Sequence, residues 1–261
     1  MARRLNQALA RTTGYSLQRV PAARPASRPA ASDQHLPEDI EADAVAIINA
    51  VRPYTMTSPE KLYGLITATR HVVRHRIPGA VIECGVWRGG SMHAVARLLL
   101  AQGVDDRELY LFDTYQGMPA PDPVDRRHDG RSAAELLAGA GENAKVRAYA
   151  SLSDVKDGFR AIPYPSDRLH FIQGRVEDTL PDQAPDQIAI LRLDTDWYAS
   201  TAHELRHLYD RLVPGGILIL DDYGWWQGAR LAVDEFLART GAPLYLARMG
   251  TGRIAVKPPT P

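Results

Sequence analysis

The sequence predicts an α/β fold, a mostly parallel sheet with helices on both faces that ends in an antiparallel hairpin. Short apolar runs alternate with helix-length stretches from residue 37 onward, the pattern of successive βαβ units. The runs AVIEC (80–84), IAILRL (188–193) and GILIL (216–220) are apolar almost throughout, as strands covered on both faces must be. Near the end, PLYLA (243–247) and RIAVK (253–257) flank the turn-like RMGTG (248–252), so the last strand should run antiparallel to the others.

Taken in order, residues 1–20 are basic at the start, with Leu5, Leu9 and Leu17 as apolar positions. They suit a short amphipathic helix or a solvated terminus equally. Residues 21–35, PAARPASRPAASDQH, have the composition of a linker. The folded domain is then 36–261. Helices are predicted at 37–51 and 58–75, a strand at 80–84, a helix at 91–102 and a strand at LYLF (109–112). A polar, Pro- and Gly-bearing segment follows, and its stretch 118–150 is too long for a plain connection and reads as an active-site lid. Beyond it come a helix at 152–161, strands at LHFI (169–172) and 188–193, a helix at 199–212, the strand 216–220 and a helix at 228–239.

Composition excludes several classes. The 31 basic residues balance the 31 acidic ones, so the whole chain has no charge bias toward nucleic acid or acidic membrane. No apolar run reaches the roughly 18–20 residues of a membrane helix, and the basic start lacks the apolar core of a secretory signal. Cys84, the single cysteine, fits a reducing cytoplasm and, with no base nearby in sequence, reads as a small buried residue. The basic N-terminus leaves peripheral membrane association open, and the sequence leaves a homo-oligomer open.

In open α/β sheets ligands bind at the carboxyl ends of the strands, and the chemistry-bearing residues stand there. Glu83-Cys84-Gly85-Val86-Trp87-Arg88-Gly89-Gly90-Ser91 runs from the first strand into a helix. Gly85 lets backbone approach a ligand closely. Ser91 can cap the helix, whose free N–H groups hold a carboxylate, while Glu83 suits an ammonium. An amino-acid-bearing cofactor needs both signs, and the spacing departs from the full G-x-G-x-x-G dinucleotide fingerprint. Asp113, directly after the second strand, is placed to receive ribose hydroxyls.

The strand 188–193 runs into Asp194-Thr195-Asp196-Trp197-Tyr198, and 216–220 into Asp221-Asp222-Tyr223-Gly224. Neighbouring strands lie about 4.8 Å apart, so two tips can bring carboxylates round one ion. Oxygen-only ligands suit Mg²⁺. Three of these four Asp residues can neutralise it; without an ion their proximity costs repulsion. The bland alternative is that the acids merely cap turns and helices.

YTMTSPE (54–60), ECGVWRGGS (83–91), FDTYQGMP (112–119), GRVEDTLP (174–181), LRLDTDWYAST (191–201) and LVPGGILILDDYGWWQGARLAVDEFL (212–237) together resemble the macrocin- and novobiocin-type sugar O-methyltransferases. The likeness runs from Tyr54 to Leu237. It implies the S-adenosylmethionine (SAM)-dependent methyltransferase fold, which is Rossmann-like, and a SAM- and Mg²⁺-dependent O-methylation of a sugar hydroxyl on a natural product, as in antibiotic biosynthesis. It implies that Thr55 and Met56 touch SAM, that Glu83, Cys84, Gly85, Val86, Trp87 and Ser91 hold its methionine part, and that Asp113, Thr114, Tyr115, Gln116 and Gly117 line its ribose side. Val176 and Glu177 would border adenine, with Ser151 a further cofactor residue. Asp194, Asp221 and Asp222 would bind Mg²⁺ and Asp196 would be the general base. The layout is more distantly similar to catechol O-methyltransferase, whose basic lysine has no counterpart visible here.

Other readings compete. A non-sugar, catechol-like diol is an alternative acceptor, and a non-catalytic SAM- or nucleotide-binding regulatory domain would need the cradle without the four carboxylates. His203-Glu204-Leu205-Arg206-His207 matches HExxH, as in zinc peptidases, but Leu205, Leu208 and Leu212 read as the apolar stripe of a solvated helix. His71 and His75 read as surface or helix-end residues. Trp225 and Trp226 suit either the acceptor pocket or the core.

Overall fold

The computed structural model describes residues 36–141 and 144–259; the expected N-terminal helix and linker lie outside these. Its seven-stranded sheet has the order β3-β2-β1-β4-β5-β7-β6, with β1 (Ala80–Cys84), β2 (Leu109–Asp113), β3 (Leu169–Gln173), β4 (Ile188–Leu193), β5 (Leu212–Leu220), β6 (Ala247–Met249) and β7 (Gly252–Val256). Pairs among β1 to β5 are parallel, whereas β7 runs antiparallel to both β5 and β6. This is the expected mostly parallel sheet with an antiparallel final strand. The chain reverses its direction of winding between β1 and β4, and the crevice at such a point is where α/β sheets hold ligands.

Both faces are covered because the central strands alternate two apolar sets. Val81, Ile190, Ile217 and Ile219 face a cluster containing Leu65, Val72, Val95, Leu99, Val155 and Phe159. Those residues come from α2 (Pro59–Arg74), α3 (Gly90–Ala101) and α5 (Leu152–Phe159); α1 is Ala42–Val51 and α4 is Ala133–Ala138. Ile82, Leu191, Leu193, Leu218 and Leu220 face the opposite cluster, with Leu205, Leu208, Val233 and Phe236 on α7 (Tyr198–Leu208) and α8 (Gln227–Thr240). The short α6 (Val176–Thr179) follows β3. Helix α1 packs on α2 and α3 through Ile48, Val51, Leu62, Ile66 and Leu98.

Several boundaries differ from expectation, and the first helix, predicted at 37–51, begins only at Ala42. The strand predicted at 243–247 begins only at Ala247 and takes in Arg248 and Met249, so the turn is Gly250-Thr251. Leu244 and Leu246 pack on the second cluster instead. The helix predicted at 199–212 ends at Leu208, and Leu212 opens β5. The described part of segment 118–150 contains α4 and is docked rather than free: Trp197 Nε1 donates to Pro119 O at 3.0 Å, and Ala133 packs with Trp197, Trp226 and Ala229.

His93 on α3 is 1% exposed and wedged between the Tyr54 and Phe159 rings, with centroids 4.9 and 4.4 Å away. Its Nε2 has no hydrogen-bond partner among the described residues. Burial, with Arg97 and Arg88 nearby, lowers its pKa from 6.5 to about 4. The folded state therefore refuses a proton that the unfolded chain accepts, so stability is complete above pH 6.5 and falls as pH drops toward 4. The shift corresponds to on the order of 3 kcal/mol. Urea unfolding of wild type and His93→Phe across pH 4–7 should show this fall in wild type and a flatter profile in the variant; identical profiles would refute it.

Candidate active site

The site begins with strand register. Glu83 of β1 pairs with Arg192 of β4, which pairs in turn with Ile219 of β5. Side chains alternate along a strand, so Glu83, Arg192 and, two residues beyond Ile219, Asp221 fall on the same face, the one covered by α2. Arg192 is 2% exposed and donates to all three neighbouring acids: to Glu83, to Asp194 at 2.7 Å and to Asp221 Oδ1 at 2.6 Å. Its Nη2 also donates to Thr57 Oγ1 at 3.0 Å. From α2, Lys61 Nζ donates to the carboxylate Oδ2 of Asp221 and, at 2.9 Å, to its carbonyl. A charge-assisted network of this kind is what buried charges require.

Asp194, Asp221 and Asp222 each offer a carboxylate oxygen, and these atoms lie within 4.8 Å of one another. Their protonation reveals how crowded the charge is. Burial, then repulsion from Asp221 and Asp222, drives Asp194 well above the ordinary carboxylate range despite Arg192. Burial, then Asp196 and Asp221, does the same to Asp222. Burial also pushes Asp221 up, but Arg192 and Lys61 outweigh it and hold this acid below its ordinary value. The cluster thus demands more positive charge than the two basic residues supply. A hard divalent cation fits that demand and this all-oxygen donor set.

Asp196 sits at φ 67°, an uncommon conformation for any residue but glycine. Its N–H donates to Asp222 Oδ2 at 3.3 Å. Burial and Asp194 raise its carboxyl to about 7, against hydrogen bonds from Asp222 and the Trp226 side chain.

The cradle is built as much for the sheet as for a ligand. Gly85 has φ +85°, and a Cβ there would lie 2.1 Å from Asp194 O, so its glycine lets the tips of β1 and β4 touch. Gly89, also at positive φ, occupies the N-cap of α3 without a side-chain cap. Ser91 lies inside the helix, buried, and near enough to Glu83 to lower that acid's pKa. Burial nonetheless raises Glu83 to about 7, and Oε2 has no hydrogen-bond partner among the described residues. The uncapped amides of α3 and this free carboxylate oxygen supply both signs expected for an amino-acid moiety.

Other expected residues divide by where their side chains point. Met56 is 44% exposed. Thr55 approaches α3 so closely that a Cβ on Gly90 would lie 2.6 Å from Thr55 Cβ. Trp87, at φ 48°, reaches across to donate from Nε1 to Tyr149 O. The Asp113 carboxylate is already engaged: Oδ2 accepts from Val86 N (2.7 Å) and Trp87 N (2.9 Å), and Oδ1 from Tyr115 N (2.7 Å). It locks the first two strand-end loops together, and ribose hydroxyls would have to share it. Tyr115 has its ring in the core, its hydroxyl donating to Leu111 O at 2.9 Å, so only its backbone faces the loop. Thr114 Oγ1 donates to Gly117 O and accepts from Gln116 N, shaping the turn. Cys84 and Val176 are buried in the second cluster. Glu177 accepts from Ser200 Oγ at 3.0 Å. Ser151 caps α5, accepting from Asp154 N.

HExxH does not form a metal site. Glu204 is fully buried while the His203 and His207 rings lie against each other, centroids 4.3 Å apart and planes tilted by 44°. Among the described residues the acidic triad is the group able to hold a metal. His71 bonds Gly215 O and His75 caps the end of α2. Trp226 is core, edge-on to Trp197.

Sequence reading missed Lys61, Arg192, Thr57 and Asp125. Arg192 is a charge inside an otherwise apolar strand, and Lys61 lies on the buried stripe of α2 with Leu65, Ala68 and Val72; either anomaly was a signal. Asp125, 1% exposed, accepts from Tyr198 N at 2.8 Å and presses on Gly228.

A mostly parallel sheet with an antiparallel last strand thus carries a Gly cradle and an acid cluster at its switch point. The chain belongs to the macrocin-O-methyltransferase (TylF) family, whose model matches residues 16–250. Demethyldecarbamoylnovobiocin O-methyltransferase of Streptomyces niveus is 32% identical over 186 residues, 71% of this chain and 68% of that protein. Mycinamicin III 3''-O-methyltransferase of Micromonospora griseorubida is 34% identical over 188 residues, 72% of each. Among solved structures, the O-methyltransferase NovP aligns with a TM-score of 0.69 at 30% identity, covering 79% of this chain and 83% of its own. The calicheamicin methyltransferase CalS11 shares the fold, at a TM-score of 0.58 and 19% identity over 82% of this chain and 90% of its own.

Arg192 is the cation common to Glu83, Asp194 and Asp221. Replacing it with Met leaves those buried acids facing one another, a loss of about 3–5 kcal/mol for a broken buried network. Urea denaturation should report that loss at pH 7; a change below 1 kcal/mol would contradict it.

Proposed function

We propose that this enzyme transfers the methyl group of SAM to a sugar hydroxyl on a glycosylated natural product, with Mg²⁺ held by Asp194, Asp221 and Asp222. The convergence of those ligand atoms within 4.8 Å, beside an uncapped helix and a free Glu83 oxygen, carries the reading. The names of the relatives support the sugar: one acts on mycinamicin III and another on a rhamnosyl tetracenomycin.

On this reading the amides of α3 receive the methionine carboxylate and Glu83 its ammonium, which fixes the direction of the sulfonium methyl. Thr55, Met56, Trp87 and Ser91 enclose that end, and the 113–117 turn with Val176 and Glu177 lies along the nucleoside. Cys84, Gly85 and Val86 form the floor, and Ser151 holds α5 at its edge. Mg²⁺, when bound, lowers the pKa of a hydroxyl and orients it. Asp196 takes the hydroxyl proton on a carboxylate oxygen as the sugar oxygen attacks the methyl carbon and the C–S bond breaks, releasing S-adenosylhomocysteine. Proximity of the two reactants supplies much of the remaining acceleration. Segment 118–150, bridged to Trp226 through Arg127, covers the acceptor side.

Asp194→Ala should abolish methyl transfer to glycoside acceptors while SAM binding by calorimetry survives. Asp196→Asn should lower kcat by about 10²–10⁴ with SAM affinity retained. Near-normal turnover by Asp196→Asn would remove it as the base, and Mg²⁺-independent turnover by wild type would remove the metal.

A further inference from the structure

The proposed metal ligand Asp221 has both carboxylate oxygens taken by the protein's own cations. Arg192 holds Oδ1 and Lys61 holds Oδ2. The two cations are built differently. Arg192 belongs to the sheet and is fixed by Glu83, Asp194 and Thr57 as well. Lys61 reaches in from α2, and among the described residues its ammonium donates to Asp221 alone, at Oδ2 and at the carbonyl. An ammonium is a compact point charge on a flexible stem, with no plane to satisfy. It can leave Oδ2 and keep the carbonyl.

We propose that Lys61 is an internal competitor for the divalent cation: it occupies Asp221 Oδ2 when no ion is bound and yields that oxygen when one enters. The inference rests on the metal reading of the acid cluster. Like charges at adjacent positions repel strongly in a buried site, so the ammonium and the ion cannot both draw fully on one oxygen. Lys61 then has two linked effects. It keeps the acids assembled in the metal-free protein, and it weakens metal binding by the free energy of its displacement. Lys61 is a positioning residue for the site, and metal affinity is its readout.

Affinity for Mn²⁺, as a probe for Mg²⁺, can be measured on the full chain by electron paramagnetic resonance of the free ion, without turnover. Lys61→Met and Lys61→Gln should each bind Mn²⁺ at least tenfold more tightly than wild type, and Lys61→Arg, which keeps the charge, should stay within about twofold. The neutral variants should also melt lower without metal and gain more from its addition than wild type does. If Lys61→Met does not fold, Lys61→Gln, which retains a donor for the Asp221 carbonyl, carries the test. Unchanged or weaker binding in the neutral variants overturns the proposal, as does equal tightening in Lys61→Arg, which would indicate packing rather than charge. Wild type that binds no Mn²⁺ fails differently: it overturns the metal reading and this inference with it.

Discussion

Buried acids at the tips of neighbouring strands are held together by one arginine, and much of the local architecture follows from that constraint. Glu83, Asp194 and Asp221 can share a low-dielectric crevice only because Arg192 lies between them on the same sheet face. The strand order puts β4 between β1 and β5, so a side chain on β4 reaches both neighbours. Gly85 brings the β1 tip against the Asp194 carbonyl, where any Cβ would collide. The left-handed backbone at Trp87, Tyr115 and Asp196 is strain of about 1–3 kcal/mol each, stored where the strand-end loops meet. Such strain persists where surrounding contacts over-determine it. Asp113, accepting from the backbone of both the cradle and its own turn, is one such contact.

The strands were legible because apolar runs bounded by chemistry-bearing residues have few other solutions. β1 and β4 fall on the residues predicted, and the acids after them stand where α/β sheets hold ligands. The first strand of the final hairpin starts four residues late since Leu244 and Leu246 found a core to join before it began. Helices α4 and α6 span one or two turns, too short for a periodic apolar pattern to declare itself. Sequence spacing also cannot tell a side chain that faces a ligand from one that faces the fold. Tyr115 and Ser151 sit at expected positions, yet the first turns into the core and the second caps a helix.

Lys61 and Arg192 were missed for a different reason. Reading strand ends for carboxylates finds the groups that bind a cation, and it is blind to the bases that balance them from within a strand or from a helix distant in sequence. The pairing of Lys61 with Asp221 spans 160 positions. Only the packing of α2 across the sheet creates it. A charge on an apolar stripe is therefore the observation to follow, because it must be answered by an opposite charge somewhere in the fold.

The same logic separates the two acidic motifs of this chain. Glu204 within HExxH is as buried as Glu83, and burial likewise drives its carboxyl well above the ordinary range. The Thr195 side chain is the group that draws it back down, and the flanking histidines lie on the half-exposed side of α7. Tucked beneath Thr195, Glu204 can shape the loop that carries Asp194 and Asp196. At the tips of β4 and β5 the acids instead share bases that stop short of neutralising them. What separates a cation site from a buried acid is therefore that several carboxylates converge while their fixed counter-charge stays incomplete.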